Sequence, residues 1–350
     1  MKKLLETARQ SLAKKKPFVI YSKPNQFRVD GIFQQSGRSY FLENFMQEGF
    51  ILAPFSGENK LLIPKNDAVF FSEEFFPDEN LKIDDAEISE EGKIAFETVV
   101  KKALIAIHDK NFEKVVLSRK EIIPKKMNAF QAFANLLQLY PTAFRYLFYH
   151  PEAGLWTGAT PEQLLKVENN VLETVALAGT QIYNENIFWE EKEKEEQLFV
   201  SQFITDNLKD FTSSLNISEP KTVRAGNLAH IKTEISARLN NQSSLANIVD
   251  FLHPTPAVCG FPKGNAKKFI LENEGYHREY YSGFLGELNW NKNTESQVTA
   301  DFFVNLRCMK VTENQAEIFV GCGITAQSNP EKEFYETANK ALTIKKALIN

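Results

Sequence analysis

The sequence has 350 residues, 43% hydrophobic and 25% charged, with 29 phenylalanines and a formal net charge of −4. That balance excludes a disordered chain, and the acidic excess argues against a protein that grips a phosphate backbone, because such proteins carry a basic surplus or stripe. Cys259, Cys308 and Cys322 show no CxxC spacing, so neither a disulfide framework nor a thiolate zinc centre is expected, and a reducing, cytoplasmic setting fits.

In chain order, MKKLLETARQSLAKKK carries Leu4, Leu5, Ala8 and Leu12 at helical spacing and lacks the unbroken apolar core of a secretion signal. No stretch approaches the roughly twenty apolar residues of a membrane span. Residues 17–76 are rich in phenylalanine and β-branched residues with turn signals between, the pattern of several short strands. The acidic PDENLKIDDAEISEEG, residues 77–92, is the best candidate boundary between a β-rich first part (1–90) and the remainder (91–350). Ile94, Val99, Ala103 and Ala106 then predict a helix, and FEKVVLSRKEIIP a strand.

NAFQAFANLLQLY reads as a helix, and FRYLFYHP through ENNVLETVALAGT mostly as strands. The run WEEKEKEEQLFV, residues 189–200, opens a long helix to about Phe211, and ANIVDFLHPTPAV is a short helix entering a proline-punctuated loop. YYSGFLGELNW, QVTADFFVNLRCMKV and QAEIFVGCGI read as strands, and PEKEFYETANKALTIKKALIN closes the chain as a helix. Strands arrive in consecutive groups, which favours an α+β fold with large antiparallel sheets over a doubly wound parallel sheet.

Several charged residues sit at positions with two readings. Glu193 and Glu196 lie three apart on the helix face that continues through Val200 and Phe203, and Glu333, Glu336 and Lys340 repeat the arrangement. These are either ordinary Glu–Lys contacts or two carboxylate pairs offering the hard oxygens that Mg²⁺ prefers, and spacing does not choose. Lys114 opens an apolar strand on the same side as Val116 and Ser118; such a lysine is most often an edge residue with its head in water, but buried it becomes a general base. Glu162 in GATPE follows a turn where a carboxylate is usually surface, yet a raised pKa would make it an acid. LAGT (177–180) and GCG (321–323) place glycines after apolar strands, where backbone N–H groups can approach an anion. Arg307 inside FFVNLRCM implies a buried ion pair or a bound carboxylate, His230 reads as a core histidine or a site residue, and Tyr281 packs its ring with its hydroxyl free to face a ligand.

With KVVLSR, GATPE, LAGT, EKEKEEQLFV, LAHIKTEI, LHPTPAVCGFPK, REYYSGFLGEL, VNLRCMKV, IFVGCGI and PEKEFYETANKA in unbroken order over about 112–345, the chain resembles the chorismate-utilising enzymes. These comprise isochorismate synthases, salicylate synthases and the large subunits of anthranilate and aminodeoxychorismate synthases. The resemblance implies an antiparallel β-sandwich flanked by helices, the fold of aminodeoxychorismate synthases. It implies Mg²⁺ bound by Glu196 and Glu336, with Glu193 and Glu333 in supporting positions. By the same likeness Lys114 is the base, Glu162 the acid, and Arg307 and Tyr281 bind the enolpyruvyl carboxylate. Gly179, Thr180, Lys192, His230, Gly321, Gly323 and Lys340 line the site.

The chain departs from its relatives in having Glu193 where aspartate is common and Gln197 where histidine is common. Aminating members resemble one another in carrying glutamine at the Lys114 position, because ammonia is already a neutral nucleophile, whereas water needs a base. Lys114, with the small Ala257, therefore points to isochorismate synthesis from chorismate; salicylate synthesis and non-catalytic binding of anionic metabolites are the alternatives. The resemblance further implies a monomer without a glutamine amidotransferase subunit, and neither nucleic acid nor membrane is an expected partner. Four clustered glutamates are expected to repel one another and loosen their helices when no cation is bound.

Overall fold

Helix α1 (Lys2–Ala13) buries Leu4 and Ala8, one turn apart, and leads into six strands: β1 (Phe18–Ser22), β2 (Arg28–Gln34), β3 (Tyr40–Phe41), β4 (Gly49–Ala53), β5 (Leu61–Pro64) and β6 (Ala68–Glu74). The computed structural model describes all residues except 58, 79–83, 226, 227, 241–243, 291–297 and 350. Part of the 77–92 connector therefore lies outside the described residues; its later part meets the C-terminal helix, where Lys346 pairs with Asp85. The chain continues through α2 (Lys93–His108), β7 (Lys114–Ile123), α3 (Ala129–Leu139), β8 (Phe144–His150), β9 (Gly154–Thr160), β10 (Gln163–Glu168) and β11 (Val171–Ile182). Next come α4 (Glu191–Leu208), β12 (Thr212–Ile217), β13 (Lys221–Ala225), β14 (Leu228–Leu239), α5 (Leu245–Leu252), β15 (Gly260–Phe261) and α6 (Lys263–Asn273). The last elements are β16 (Phe284–Leu288), β17 (Ala300–Val304), β18 (Cys308–Val311), β19 (Ala316–Ile324) and α7 (Pro330–Ala347).

Two antiparallel sheets result, one ordered β15-β7-β19-β18-β9-β8-β1-β2-β6 and the other β12-β14-β11-β10-β17-β16-β4-β5-β3, with β13 also paired to β14. Strand alternation explains the layering. In β1, Phe18 and Ile20 face α1 and α3, while Val19 and Tyr21 face the opposite sheet. The space between the sheets is filled by aromatic rings, with Phe144 stacked on Phe303 at 4.3 Å and Trp156 on Phe319 at 5.1 Å. Helices α4 and α5 cover the outer face of the second sheet through Val200, Phe203, Ile204 and Ile248. Helices α2, α6 and α7 cover the β7 end of the first.

Two expectations need correction. The helix α2 forms, but its buried face is Phe96, Val100, Ala103, Ala106 and Ile107, while Ile94 is 83% exposed, because the stripe is phased on Phe96. QVTADFFVNLRCMKV is not one strand: β17 belongs to the second sheet and β18 to the first, and the chain crosses between them at 305–307. Arg307 thus sits in the crossover, not within a strand, with φ of 47°.

Candidate active site between the sheets and the two acidic helices

Lys114 is 2% exposed, because β7 lies between β15 and β19 and is not an edge strand. Across the ladder Val116 pairs with Gly323 and Ser118 with Gly321. A Cβ at Gly323 would lie 2.4 Å from Oε1 of Glu196 and 3.0 Å from Cε of Lys114, so this glycine makes room for both tips at one point. Burial pushes the Lys114 pKa down; Glu196 opposes the shift, while Lys192 and Lys340 reinforce it.

Glu162 sits in the short link from β9 to β10, where Pro161 ends one strand and the Glu162 carbonyl accepts a hydrogen bond from the Val304 amide (2.9 Å). Its carboxyl group is buried, not on the surface, and burial raises its pKa to about 7 against the pull of Lys114, Lys340 and Arg307. Lys114 and Glu162 line the same cavity, together with Glu196, Ala257, Arg307 and Tyr281.

Arg307 directs Nη1 toward the Lys340 carbonyl at 3.5 Å and forms no ion pair among the described residues. Burial works against its charge. Tyr281 stacks on Phe319 at 5.6 Å, and its hydroxyl lies 3.0 Å from where a Cβ on Gly321 would stand; burial keeps that hydroxyl protonated well above its usual range. Gly179, with φ of 71°, lies at an irregularity in the pairing of β11 with β14, and Glu193 fills the space a side chain would need. The Gly179 carbonyl accepts from Nδ1 of His230 at 3.0 Å, and Thr180 Oγ1 lies 3.3 Å from the same nitrogen. Nε2 of His230 is then a buried acceptor without a partner in the described residues, and burial, with Arg307 and Lys340, depresses the pKa to about 3.

The acidic helices meet above this cavity. Glu196 is 8% exposed on α4, and Glu336 on α7 lines both the cavity and an adjoining opening bordered by Lys192, Glu193 and Glu333. Lys340 bonds Glu336 at 2.7 Å and the Gly321 carbonyl at 3.1 Å, and Lys192 bridges the two helices to Glu333 at 2.5 Å. The i,i+4 contact of Glu336 with Lys340 is thus present, and Glu193, Glu333 and Glu336 border one opening. Burial opposes ionisation of Glu336, but Lys340 and Lys192 outweigh it and hold the pKa low; Glu333 is raised, by burial and by Glu336. The two lysines offset the expected mutual repulsion of the glutamates.

Glu193 has a different task from its neighbour. Its Oε2 accepts from the Glu190 amide (3.0 Å) while Glu190 accepts in return, closing a capping box at the start of α4. The longer arm that separates it from aspartate is what reaches back to the cap. Gln197 donates from Nε2 to Thr233 (2.6 Å) and Ser201 (2.8 Å), tying α4 to β14.

Among the described residues no group of three or more His, Cys, Asp or Glu side chains stands close enough to chelate an ion unaided. The donor set nevertheless suits a hard divalent cation, since carboxylate oxygens from two helices face one space and Glu333 Oε2 is buried without a partner among the described residues. Of the residues singled out from the sequence, Lys192, Glu193 and Glu333 border the outer opening, and the others line the inner cavity. Phe319, Leu177, Val258 and Cys322 also line it, although the sequence assigned none of them a role there; strand alternation on β19 flags Phe319, which shares a face with Gly321 and Gly323.

A family model described as "Chorismate binding enzyme" matches residues 65–349, and the chain belongs to that family. It is 29% identical over 262 residues to the isochorismate synthase EntC of Escherichia coli K12, covering 71% of this chain and 66% of that protein. It is also 29% identical over 265 residues to the salicylate biosynthesis isochorismate synthase of Pseudomonas aeruginosa, covering 72% and 54%. The match thus spans about two thirds or less of these relatives' lengths. Among solved structures, MenF, the menaquinone-specific isochorismate synthase of Escherichia coli, superposes with a TM-score of 0.77 at 21% identity, covering 95% of this chain and 88% of that one. Anthranilate synthase component I of Streptococcus pneumoniae superposes at 0.71 and 17% identity, covering 94% and 92%. These likenesses bear out the expected sandwich fold.

Proposed function

We propose that the chain is an isochorismate synthase that converts chorismate to isochorismate by adding water at ring C2 and releasing the C4 hydroxyl. The observation that carries this reading is the pair Lys114 and Glu162 on one cavity, with burial driving the amine toward its neutral form and the carboxyl toward its protonated form. Neutral Lys114 accepts a proton from the water that attacks C2. Glu162 gives its proton to the C4 oxygen, which departs as water while both ring double bonds shift, from C1=C2 and C5=C6 to C1=C6 and C4=C5. Arg307, with no ion pair among the described residues, and the Tyr281 hydroxyl would hold the enolpyruvyl carboxylate. Neutral His230 offers Nε2 as an acceptor for a substrate hydroxyl. Since water is the nucleophile, no ammonia-supplying partner is needed.

Glu196 and Glu336 would hold Mg²⁺, with Glu333 in support and Glu193 acting mainly through its cap. Bound there, the ion would neutralise the substrate's ring carboxylate and help fix the ring between base and acid. Magnesium at 100 times its Kd is expected to stabilise the fold by about 2.7 kcal/mol through linkage. Differential scanning calorimetry should show a higher Tm with Mg²⁺, and the shift should shrink in Glu336→Gln; an unmoved Tm in the wild-type protein removes the site.

Gly323→Ala is expected to lower turnover on the order of 10²-fold, since its methyl group would push Glu196 and Lys114 apart. Steady-state rates with near-wild-type values would show that the space is not needed. The decisive test of the activity is incubation with chorismate and Mg²⁺ followed by chromatography. Isochorismate is the expected product; salicylate with pyruvate, or binding without turnover, overturns the reading.

A further inference from the structure

Beyond the cavity, β7 has an unusual edge. Strand β15 pairs with it for only two residues, Gly260 with Val115 and Phe261 with Lys114, and forms the end of the sheet. The amide of Val116 still finds the Cys259 carbonyl at 2.8 Å. By strand geometry the Val116 carbonyl and the Ser118 amide point the same way, where no strand follows among the described residues.

A side-chain pair takes the place of that strand. Nη2 of Arg278 donates to the Val116 carbonyl at 2.6 Å, and the Ser118 amide donates to Oε1 of Glu274 at 2.7 Å. Arg278 and Glu274 are joined by two hydrogen bonds, and their side chains are 2% and 1% exposed. Nη1 of Arg278 holds the Val258 carbonyl at 2.9 Å, next to Ala257 on the cavity wall. The guanidinium lies over the Phe55 ring at 4.4 Å, and Ser118 Oγ bonds both Glu274 (2.9 Å) and the Tyr276 hydroxyl (2.6 Å). One buried ion pair therefore ties the strand that begins with Lys114 to the loop that carries Ala257 and Val258.

We propose that the Glu274–Arg278 pair is a positioning device for Lys114, completing the edge of β7 where β15 ends and fixing the distance between the base-bearing strand and the 257–259 wall. Neither residue lines the cavity; the pair reaches it through the backbone of β7 and the 257–259 wall, and the Arg278 guanidinium also lies 5.9 Å from the Tyr281 ring. This inference rests on the proposed role of Lys114. Lysine at position 278 keeps the charge but cannot hold both carboxylate oxygens and two carbonyls in one plane.

The test is a double-mutant cycle. Arg278→Lys, and the milder Ser118→Ala, are expected to lower kcat by about tenfold or more and by about threefold respectively, with KM for chorismate nearly unchanged; in a Lys114→Gln background either should add less than about twofold. Full kcat in both variants, or equal losses with and without Lys114, overturns the proposal. If Arg278→Lys does not fold, Ser118→Ala decides alone. Should the wild-type protein form no isochorismate, the activity reading falls by itself, and labelling with acetic anhydride decides the positioning. Under limiting reagent, Lys114 in Ser118→Ala or Arg278→Lys should be acetylated at least about fivefold faster relative to Lys340 than in the wild type, as a strand released from its edge would require; an unchanged ratio overturns it.

Discussion

Lys114→Gln is expected to abolish most water addition, with kcat falling about 10²- to 10⁴-fold, the usual contribution of a positioned general base. Glutamine is close in reach, keeps a polar head and removes only the ability to accept a proton at the point where Glu196 and Gly323 meet the lysine. Magnesium binding should persist, because Glu196 and Glu336 remain. The pH profile supplies a signature that misfolding would not. Rate depends on the fraction of neutral Lys114 multiplied by the fraction of protonated Glu162, so the rising limb reports the lysine and the falling limb the glutamate, whichever pKa is lower. Lys114→Gln should lose the rising limb and retain the falling one. A variant that keeps its rising limb, or its turnover, takes Lys114 out of the chemistry.

How much of this was legible in the sequence follows from how locally each feature is encoded. Strand and helix periodicity is local, which is why α3, α4, β7 and α7 form where apolar spacing places them. The crossover at Asn305 and Arg307 is not local: FFVNLRCM is continuously apolar enough to read as one strand, and only pairing with two different sheets splits it. Burial of Lys114 and Glu162 was equally undecidable, since it depends on β15 and α7 closing over residues distant in sequence. The family motifs brought those two residues to notice, but the charge balance of the acidic cluster came from lysines on both helices, which spacing could suggest only for Lys340 and Glu336. Arg278 entered only as the first letter of REYYSGFLGEL and Glu274 not at all, because an i,i+4 Glu–Arg pair reads as an ordinary solvated contact until it is found almost wholly buried.

Glu162→Gln is expected to trade activity for stability. An amide can hydrogen-bond the C4 oxygen but cannot protonate it, so kcat should fall by about 10²- to 10⁴-fold, and the falling limb of the pH profile should disappear while the rising limb stays. Stability should move the other way. The carboxyl pKa is raised from the ordinary 4.5 to about 7, so the native state resists ionisation, and stability is lost as pH rises from 4.5 through 7. At 1.36 kcal/mol per pKa unit, the wild-type protein above pH 7 bears a cost of ~3 kcal/mol that neutral glutamine does not. Chaotrope unfolding should therefore find Glu162→Gln similar to wild type near pH 4.5 and more stable by up to that amount at pH 8. Equal stability at pH 8 would mean that burial does not disfavour the Glu162 carboxylate, and a carboxyl group that ionises freely in that cavity could not act as the acid near neutral pH.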